Sequence, residues 1–361
     1  MPLLSKEYGV SASLAGVTIS AVVFSIALAS LVFGPVADAA GRKRTMVAGC
    51  TILAIATLAC AFAPNFPSLV VLRAIQGIAI PAVTAVAIAY LGELRGSGDP
   101  GSFVGLYIGA TVLGGLAGRV ASGLIAQVSS WRVPFVVFSA VTLLAAIGLA
   151  TALKEEPKRV QPPAFGAMRD HLLDPRLAGG YVVGATLFFG FIGIFTYLPY
   201  LLAAPPYDLS TGAIAWFYAS YGAGVVTAPL VGRASKRLSR RLLMAGGLTI
   251  AIAGILMTAL HGLFLISAGT VVLCIGMFTA QAVAPAYVNI MAKPPKGGAN
   301  ALYQTFYYGG AIFGSTLPGL ALEHFGWNGV VAACALSLAL GVAAVFTLCA
   351  DDRSPPQLLP R

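Results

Sequence analysis

Charged residues are scarce in this chain of 361 residues. Lys, Arg, Asp and Glu together make up 9% of it, whereas a soluble domain carries about 25%. Apolar residues make up 58%, and the mean hydropathy is +0.88. This balance excludes an ordinary soluble protein and indicates a lipid environment. Because the apolar residues form long continuous runs rather than short alternating ones, the predicted fold class is all-α, a polytopic membrane protein.

Several chemical signatures are also missing. The five cysteines show no CxxC spacing, so the sequence predicts neither a disulfide framework nor a zinc site. Motifs of the forms GxxxxGK[ST], GxSxG and HExxH do not occur. The basic loop at 233–241 has no interleaved aromatic residues of the kind that bind nucleic acid. We therefore expect no enzyme activity, no cofactor, no metal and no nucleic-acid partner.

Eleven apolar runs are long enough to span a bilayer at about 20 residues each. They lie near residues 12–35, 45–63, 67–92, 102–128, 131–153, 178–203, 210–232, 242–260, 263–292, 300–322 and 327–349. The longest polar stretch, 154–177, contains KEEPKR and a Pro-Pro pair, which is typical of a linker. The predicted domains are an N-terminal bundle of five helices at 1–153, a linker at 154–177 and a C-terminal bundle of six at 178–361.

The basic residues are distributed unevenly between the two sides of the membrane. When the loops alternate, eighteen of the 22 fall on one side and only Lys6 and Arg132 on the other, while Arg73 and Arg119 lie within apolar runs. By the positive-inside rule the side with eighteen is cytoplasmic. We therefore predict a multi-pass protein of the cell inner membrane with an outside N-terminus and a cytoplasmic C-terminus.

The two halves of the sequence are related by an internal repeat. At a constant offset of 196, five residues recur as Tyr107/Tyr303, Gly114/Gly310, Gly118/Gly314, Gly123/Gly319 and Trp131/Trp327. The loop at 34–43 matches that at 232–241, and the segment from Tyr8 to Ser11 echoes Tyr207 to Ser210. Subtracting the offset from the run at 178–203 places its partner upstream of Met1, so the first half is expected to lack one helix.

Two motifs carry a family resemblance. The loop GPVADAAGRK places Gly34, Asp38, Gly41, Arg42 and Lys43 between two spanning runs, and Arg73, Gln76 and Gly77 form an Arg-x-x-Gln-Gly element. Together they resemble the major facilitator superfamily, which implies secondary transport by alternating access, with proton coupling. The GLYIGATVLGGLAGR run resembles bacterial sugar or drug efflux permeases, which implies export, as a permease or antiporter. The chain departs from these patterns at Ala39, Lys236 and Ala110, so a drug/proton antiporter is not claimed.

Polar side chains within the runs are candidates for the translocation path. Arg73 and Arg119 are the only charges deep inside apolar runs, where a charge costs at least about 2.5–3.5 kcal/mol. The candidate residues are Arg119, Arg73, Gln76, Tyr107, Tyr303, Gln304 and Tyr307. Two alternatives stay open, since the arginines could bond backbone carbonyls or an absent helix, and the tyrosines could form an interfacial belt.

The loop motif supplies the candidate gate. Gly34, Asp38, Gly41, Arg42 and Glu93 are predicted to hold the cytoplasmic side shut, with Glu93 and Arg95 as partners; a simple solvated cap is the alternative. No Asp or Glu lies in the middle of a run. A proton-accepting group would therefore come from Asp38 or the absent helix, or the protein is a uniporter.

The sequence thus predicts a monomeric carrier of a small polar solute that acts in the bilayer by alternating access and exports its solute. The alternative, from another class, is a membrane protein that does not transport and acts as a partner subunit or an inert remnant.

Overall fold

The computed structural model describes residues 1–93, 100–153, 168–235, 237–260, 262–293 and 297–350. Within these ranges the side chains of residues 34, 35, 38, 85, 88, 89, 91–93, 100–109, 112, 168 and 297 lie outside the description. The predicted roles of the Asp38, Glu93 and Tyr107 side chains, and of Arg95, therefore fall outside the described residues. The described chain is almost entirely helical and contains no β-strand. This confirms the predicted all-α class.

Fourteen α-helices are described. The first seven are α1 (Pro2–Tyr8), α2 (Ala12–Ala40), α3 (Arg42–Ala61), α4 (Phe66–Glu93), α5 (Pro100–Val128), α6 (Val133–Ala152) and α7 (Met168–Leu173). The remainder are α8 (Pro175–Ala203), α9 (Thr211–Trp216), α10 (Ala223–Ala234), α11 (Arg240–Met257), α12 (Leu263–Met291), α13 (Gly297–Gly314) and α14 (Leu317–Thr347). A 3-10 segment, Phe217–Gly222, joins α9 to α10.

Nine stretches of the described helices are long and apolar enough to cross a membrane, with mean hydropathies from 1.3 to 2.4. The last of them covers 50 residues, Gly298–Thr347. It overlaps the two predicted runs at 300–322 and 327–349, and the helix kinks between them at Gly326, where φ is 63°. The predicted run at 102–128 corresponds to α5, of which Leu113–Val128 is the apolar part. Each of the eleven predicted runs therefore coincides with helical structure.

The chain divides into two compact units. Unit 1 contains Met1–Pro163 and Thr196–Ala219, and unit 2 contains Ala164–Phe195 and Ser220–Arg361. Most of unit 1 is the predicted N-terminal bundle, but it also includes a segment from the second half of the chain. The predicted linker at 154–177 contains α7 and the start of α8, and its residues 154–167 lie outside the described part.

Small residues set the helix spacing in unit 1. Gly77 of α4 lies so close to the carbonyl of Val22 in α2 that a Cβ there would overlap it. A Cβ at Gly49 of α3 would lie 2.6 Å from Cβ of Ala82 in α4, which is closer than carbon atoms approach. Glycine at these positions therefore allows three helices to pack backbone to backbone, the arrangement that small residues permit in membrane bundles.

Unit 2 contains a longer seam of the same kind. Gly247 and Gly254 of α11 lie against Gly276 and Gly269 of α12, and both pairs are seven residues apart. A Cβ at any of the four would overlap backbone atoms of the facing helix. Hydrogen bonds with α14 hold both ends of α11. Trp327 Nε1 donates to the carbonyl of Thr258 at 2.9 Å, and Arg241 donates to the carbonyls of Val345 and Phe346 at 3.1 and 2.7 Å.

Local structure supports the internal repeat. Ser11 and Ser210 cap α2 and α9 in the same way, each accepting a 3.3 Å bond from the backbone N–H three residues on, at Leu14 and Ala213. The matched residues Arg42 and Arg240 are the first residues of α3 and α11. The two halves therefore begin equivalent helices at equivalent residues.

Candidate functional site

A cavity with several polar lining residues lies in unit 2, between the C-terminal turns of α12 and the first turns of α13. Its volume is about 480 Å³. The lining residues are Pro285, Ala286, Asn289, Ile290, Asn300, Tyr303 and Gln304. None of these carries a formal charge. Two of the translocation residues predicted from sequence, Tyr303 and Gln304, are thus brought to one cavity.

Three amide side chains of this cavity have open hydrogen-bonding groups. No described residue makes a hydrogen bond with the side chain of Asn289, Asn300 or Gln304. Each amide offers two N–H donors and one carbonyl acceptor. Asn300 and Gln304 are four residues apart on α13, so they share one face of that helix. The cavity wall therefore presents both donors and acceptors from two helices.

Tyr303 fixes the wall between these amides. Its side chain is 1% exposed, and its hydroxyl donates to Oε1 of Gln281 in α12 at 3.1 Å. Its ring also lies against Gly184 of α8, where a Cβ would come within 2.8 Å of it. This hydrogen bond ties α13 to α12 beside the cavity. Tyr303 accordingly acts as a positioning residue, while the amides face the cavity.

An aromatic cluster continues from Tyr303 toward α8. Tyr307 stacks on Phe188 with ring centroids 3.9 Å apart and an interplanar angle of 12°, and its ring lies 6.0 Å from that of Tyr303. Phe191 contacts both Phe195 and Tyr221 at 5.0 Å. Stacked and tilted rings of this kind pack tightly and present few hydrogen-bonding groups. The predicted residue Tyr307 therefore belongs to this cluster and does not line the cavity.

Arg73 and Gln76 belong to a buried network in unit 1. Arg73 Nη1 donates to Oε1 of Gln76 at 3.2 Å, and Nε2 of Gln76 donates to Oγ1 of Thr57 in α3 at 2.7 Å. The guanidinium also lies over the ring of Phe135 in α6, 4.8 Å from its centroid. Its Nε is buried without a hydrogen-bond partner among the described residues. The structure thus joins two predicted residues and connects α3, α4 and α6 through them.

Arg119 lies elsewhere in unit 1. Its side chain is exposed, and Nη1 donates to the carbonyl of Gly115 in its own helix at 2.9 Å. The neighbouring α5 residue Gly123 lies against Ala215 of α9, with no room for a Cβ. Arg119 and the Arg73 network therefore form separate polar groups, and the structure does not bring them together.

The candidate gate surrounds a one-residue break between α2 and α3. Gly41 has φ 98° and ψ 133°, and its N–H donates to the carbonyl of Ala37 at 2.9 Å. Its carbonyl accepts bonds from both N–H and Oγ1 of Thr45. Arg42 follows and is buried. The backbones of Gly34 and Asp38 belong to α2 and that of Glu93 ends α4, while the side chains of Asp38 and Glu93 lie outside the described residues.

Sequence reasoning missed the asparagines of the cavity. Asn289 lies inside the apolar run at 263–292 and Asn300 opens the next one. A signal was available, because an uncharged amide in a spanning run is costly unless something meets its hydrogen-bonding groups. The predicted candidates were arginines, glutamines and tyrosines, and these two asparagines were not among them.

Comparisons with known proteins agree with this architecture. The sequence model of the Major Facilitator Superfamily matches residues 1–293 and 200–360. The MFS-type transporter YybF of Bacillus subtilis is 31% identical over 92% of this chain and 83% of its own length. The inner membrane transport protein YnfM of Escherichia coli K12 is 30% identical over 95% of this chain and 83% of its own.

A solved structure shows the same fold. The D-xylose-proton symporter superposes with a TM-score of 0.77 at 17% identity, covering 94% of this chain and 88% of that one. At this identity the likeness concerns the fold alone. The family and the names of the relatives indicate a multi-pass membrane transporter of some solute rather than an enzyme. The chain belongs to the major facilitator superfamily.

Proposed function

We propose that the chain moves a small polar solute across the inner membrane by alternating access of its two repeat halves, residues 1–153 and 178–361, with 154–177 as their linker and the C-terminus in the cytoplasm. The observation that carries the proposal is the uncharged polar cavity between α12 and α13, whose amides have no described partner. Asn289 and Asn300 are half-buried and Gln304 is exposed, so these amides can donate to and accept from a solute that enters the cavity.

Arg119 is the proposed contact in unit 1. It is an exposed cation within a predicted apolar run, and its Nη1 donates to the carbonyl of Gly115 at 2.9 Å. Because a charge in a spanning run is costly, we assign Arg119 to the contact with a carbonyl or hydroxyl oxygen of the solute. We assign Arg73, Gln76, Tyr107 and Tyr307 to the support of the path, and Gly34, Asp38, Gly41, Arg42 and Glu93 to the cytoplasmic gate.

Export is the proposed direction, and the resemblance to efflux permeases supports it. Proton coupling would need a titratable group, and Asp38 is the proposed one. Collapsing the proton gradient with a protonophore in cells should then abolish uphill export while downhill exchange continues. Uphill export that survives the protonophore would remove protons from the mechanism.

Flux through the purified chain tests the proposal. Proteoliposomes loaded with a protein-free metabolite extract of bacterial cells would be diluted into buffer, and the solutes that leave would be identified by mass spectrometry. We expect at least one small polar solute to leave only when the protein is present, and its flux to fall at least tenfold in Arg119→Ala. A well-folded protein that releases no solute would favour the alternative of a non-transporting partner subunit or remnant.

A further inference from the structure

The turn between α10 and α11 carries a concentration of positive charge. Residues 233–241 contain five basic side chains, and the sequence has no Asp or Glu between Asp208 and Glu323. The helices α10 to α13 lie within that interval. They therefore supply no carboxylate that could neutralise the charge of the turn.

Two of these basic residues are peculiar to the second half of the chain. At the offset of 198 that relates the two loops, Arg233 and Arg237 stand where the first half has Pro35 and Ala39. Both arginine side chains are exposed, and neither makes an ion pair or a hydrogen bond with the part of the chain that the structure describes. Their charge is therefore not used to hold the described fold together.

Arg241 shows the contrasting, structural use of a basic residue in the same turn. Its guanidinium donates to the carbonyls of Val345 and Phe346 and lies over the ring of Phe346, 5.5 Å from the centroid. A cation is favourable at these last carbonyls because the C-terminal end of a helix carries partial negative charge. Glu323, the acidic residue of α14, lies before the kink and far from this end. The fold thus uses Arg241 and leaves the two exposed arginines available.

The backbone of the turn places Arg233 and Arg237 side by side. The N–H of Leu238 donates to the carbonyl of Ala234, four residues earlier, at 2.8 Å, so a helical turn continues past the end of α10. Residues four apart on such a turn share one face. Ser239 then ends the turn by accepting a 3.3 Å bond from the N–H of Leu242. The two guanidinium groups are therefore presented together from an ordered segment.

The same face lies at the surface of the bilayer. The spanning stretches Thr211–Ala234 and Arg240–Met257 are separated by residues 235–239 alone, so the turn cannot extend far from the membrane. Leu230, three residues before Arg233 on α10, is 54% exposed, and Leu238 is 47% exposed. Leucines exposed at the end of a spanning stretch face lipid chains, and long basic side chains beside them reach the level of the headgroups.

We propose that Arg233 and Arg237 form a docking site for the phosphate of an anionic phospholipid, in the leaflet that the charge distribution predicts to be cytoplasmic. Guanidinium groups bind phosphate oxygens through paired hydrogen bonds, and clusters of basic residues next to spanning helices attract anionic lipid. The acyl chains lie along Leu230 and Leu238. A soluble acidic partner would satisfy the arginines but would leave no role for these leucines. The site does not depend on the transport proposed above.

Native mass spectrometry of the purified full chain in detergent tests this site. The chain would be titrated with phosphatidylglycerol, which is anionic, and separately with phosphatidylethanolamine, which carries no net charge. The variants are Arg233→Gln, Arg237→Gln and their combination. The matched control combines Arg176→Gln with Lys293→Gln, which removes two other exposed basic residues from the same predicted side.

We expect phosphatidylglycerol to bind more tightly than phosphatidylethanolamine. Its affinity should fall about fivefold in each single variant and about thirtyfold in the double variant, as expected for the loss of one and of two cations beside an anionic headgroup. The control should keep the affinity of the wild type. Binding to the wild type should also weaken as the concentration of ammonium acetate rises, because salt screens exposed charges.

Three results would overturn the proposal. An equal loss in the control would show that the whole basic surface attracts the lipid. Unchanged affinity in the double variant would show that the arginines do not hold it, as expected if Asp351 and Asp352 of the sequence occupy them instead. Binding to the wild type that does not respond to salt would exclude an ionic contact, and this measurement decides the matter even if a variant fails to fold.

Discussion

At the scale of single residues, the buried network around Gln76 shows how a charge is tolerated inside an apolar helix. Gln76 accepts from Arg73 and donates to Thr57, whose hydroxyl donates in turn to the carbonyl of Leu53 at 2.6 Å. Gln76 and Thr57 each donate one hydrogen bond and accept another, and no second charge takes part, while Nε of Arg73 has no hydrogen-bond partner among the described residues. The face of Phe135 adds a cation–π contact to the guanidinium. Arg73 is therefore stabilised by polar groups of α3 and α4 and by the aromatic ring of Phe135 in α6.

Replacing Gln76 with Ala should destabilise the protein measurably. The change leaves Thr57 and Arg73 without their amide partner, at a cost of about 1–3 kcal/mol. Thermal unfolding in detergent would report it as a lower midpoint. The matched control is Gln304→Ala, whose amide has no described partner and whose loss should change stability by less than about 0.5 kcal/mol. Equal shifts for the two variants would show that the network is not stabilising.

Gly41 should resist substitution for a different reason. Its φ of 98° is a conformation that side chains with a Cβ avoid, and strain of this kind costs about 1–3 kcal/mol. Gly41→Ala is therefore expected to lower the unfolding midpoint. Gly148→Ala in the helix α6 should raise stability by about 0.5–1 kcal/mol, because space there is open and glycine weakens a helix. If both variants shift stability in the same direction, the positive φ of Gly41 is not the reason that a glycine is needed between α2 and α3.

At the scale of elements, the apolar runs predicted the helices well because length and composition alone decide whether a segment spans a bilayer. The gap between the runs at 300–322 and 327–349 falls at the kink at Gly326, but the runs did not predict the break at 315–316 between α13 and α14. That break depends on backbone conformation, which hydropathy does not register. Gln304 and Tyr303 were predicted as candidates because they are polar residues in an apolar run. The α12 residues that face them across the cavity could not be predicted, because their proximity depends on how the two helices pack.

The repeated glycine pairs differ in what they contact. In α13, a Cβ at Gly310 would overlap the carbonyl of Ala185 in α8, and one at Gly314 would overlap that of Phe189. Their counterparts in α5, Gly114 and Gly118, have no described atom within 4 Å of the same position. Glycines four residues apart permit close backbone approach between membrane helices. Identical motifs therefore pack differently, because the motif permits an approach but the neighbouring helix decides whether it occurs.

This difference predicts opposite outcomes for matched substitutions. Gly310→Leu would force α8 and α13 apart and should strongly reduce folded protein in the membrane, measured as the monodisperse fraction after detergent extraction. Gly114→Leu should leave that fraction near the wild-type level, because its side chain would enter open space. A large loss for Gly114→Leu would show that α5 is covered by a helix outside the described residues.

At the scale of the whole molecule, the distribution of basic residues predicts the orientation in the membrane. Lys6 and Arg132 are the two basic residues predicted for the outer side. In the structure Arg132 forms a 2.7 Å salt bridge with Glu7, the neighbour of Lys6, so the end of α1 and the start of α6 lie together in unit 1. The loops predicted to be cytoplasmic hold the remaining basic residues outside the apolar runs. The alternation of loops therefore agrees with the packing at this end.

Thiol labelling from one side of the membrane tests that topology, and the native cysteines should add little background signal. All five native cysteines are buried, and burial raises the pKa of the Cys349 thiol, so it stays protonated and unreactive at neutral pH. In intact cells an impermeant maleimide should label Ser129→Cys, an exposed position beside Arg132. Arg237→Cys, exposed in the basic loop, should be labelled only after the membrane is permeabilised. The reverse pattern would invert the predicted orientation.

The central claim is that the amides of unit 2 lie on the path of a transported solute. The most direct measurement is the flux of that solute from proteoliposomes containing the wild type, Asn300→Ala or Asn328→Ala, at equal amounts of folded protein. Asn328→Ala is the matched control, which removes an exposed amide that follows the kink at Gly326. The account predicts that flux below saturation falls about tenfold in Asn300→Ala and is unchanged in Asn328→Ala. Equal flux through all three would contradict it and place the path elsewhere in the protein.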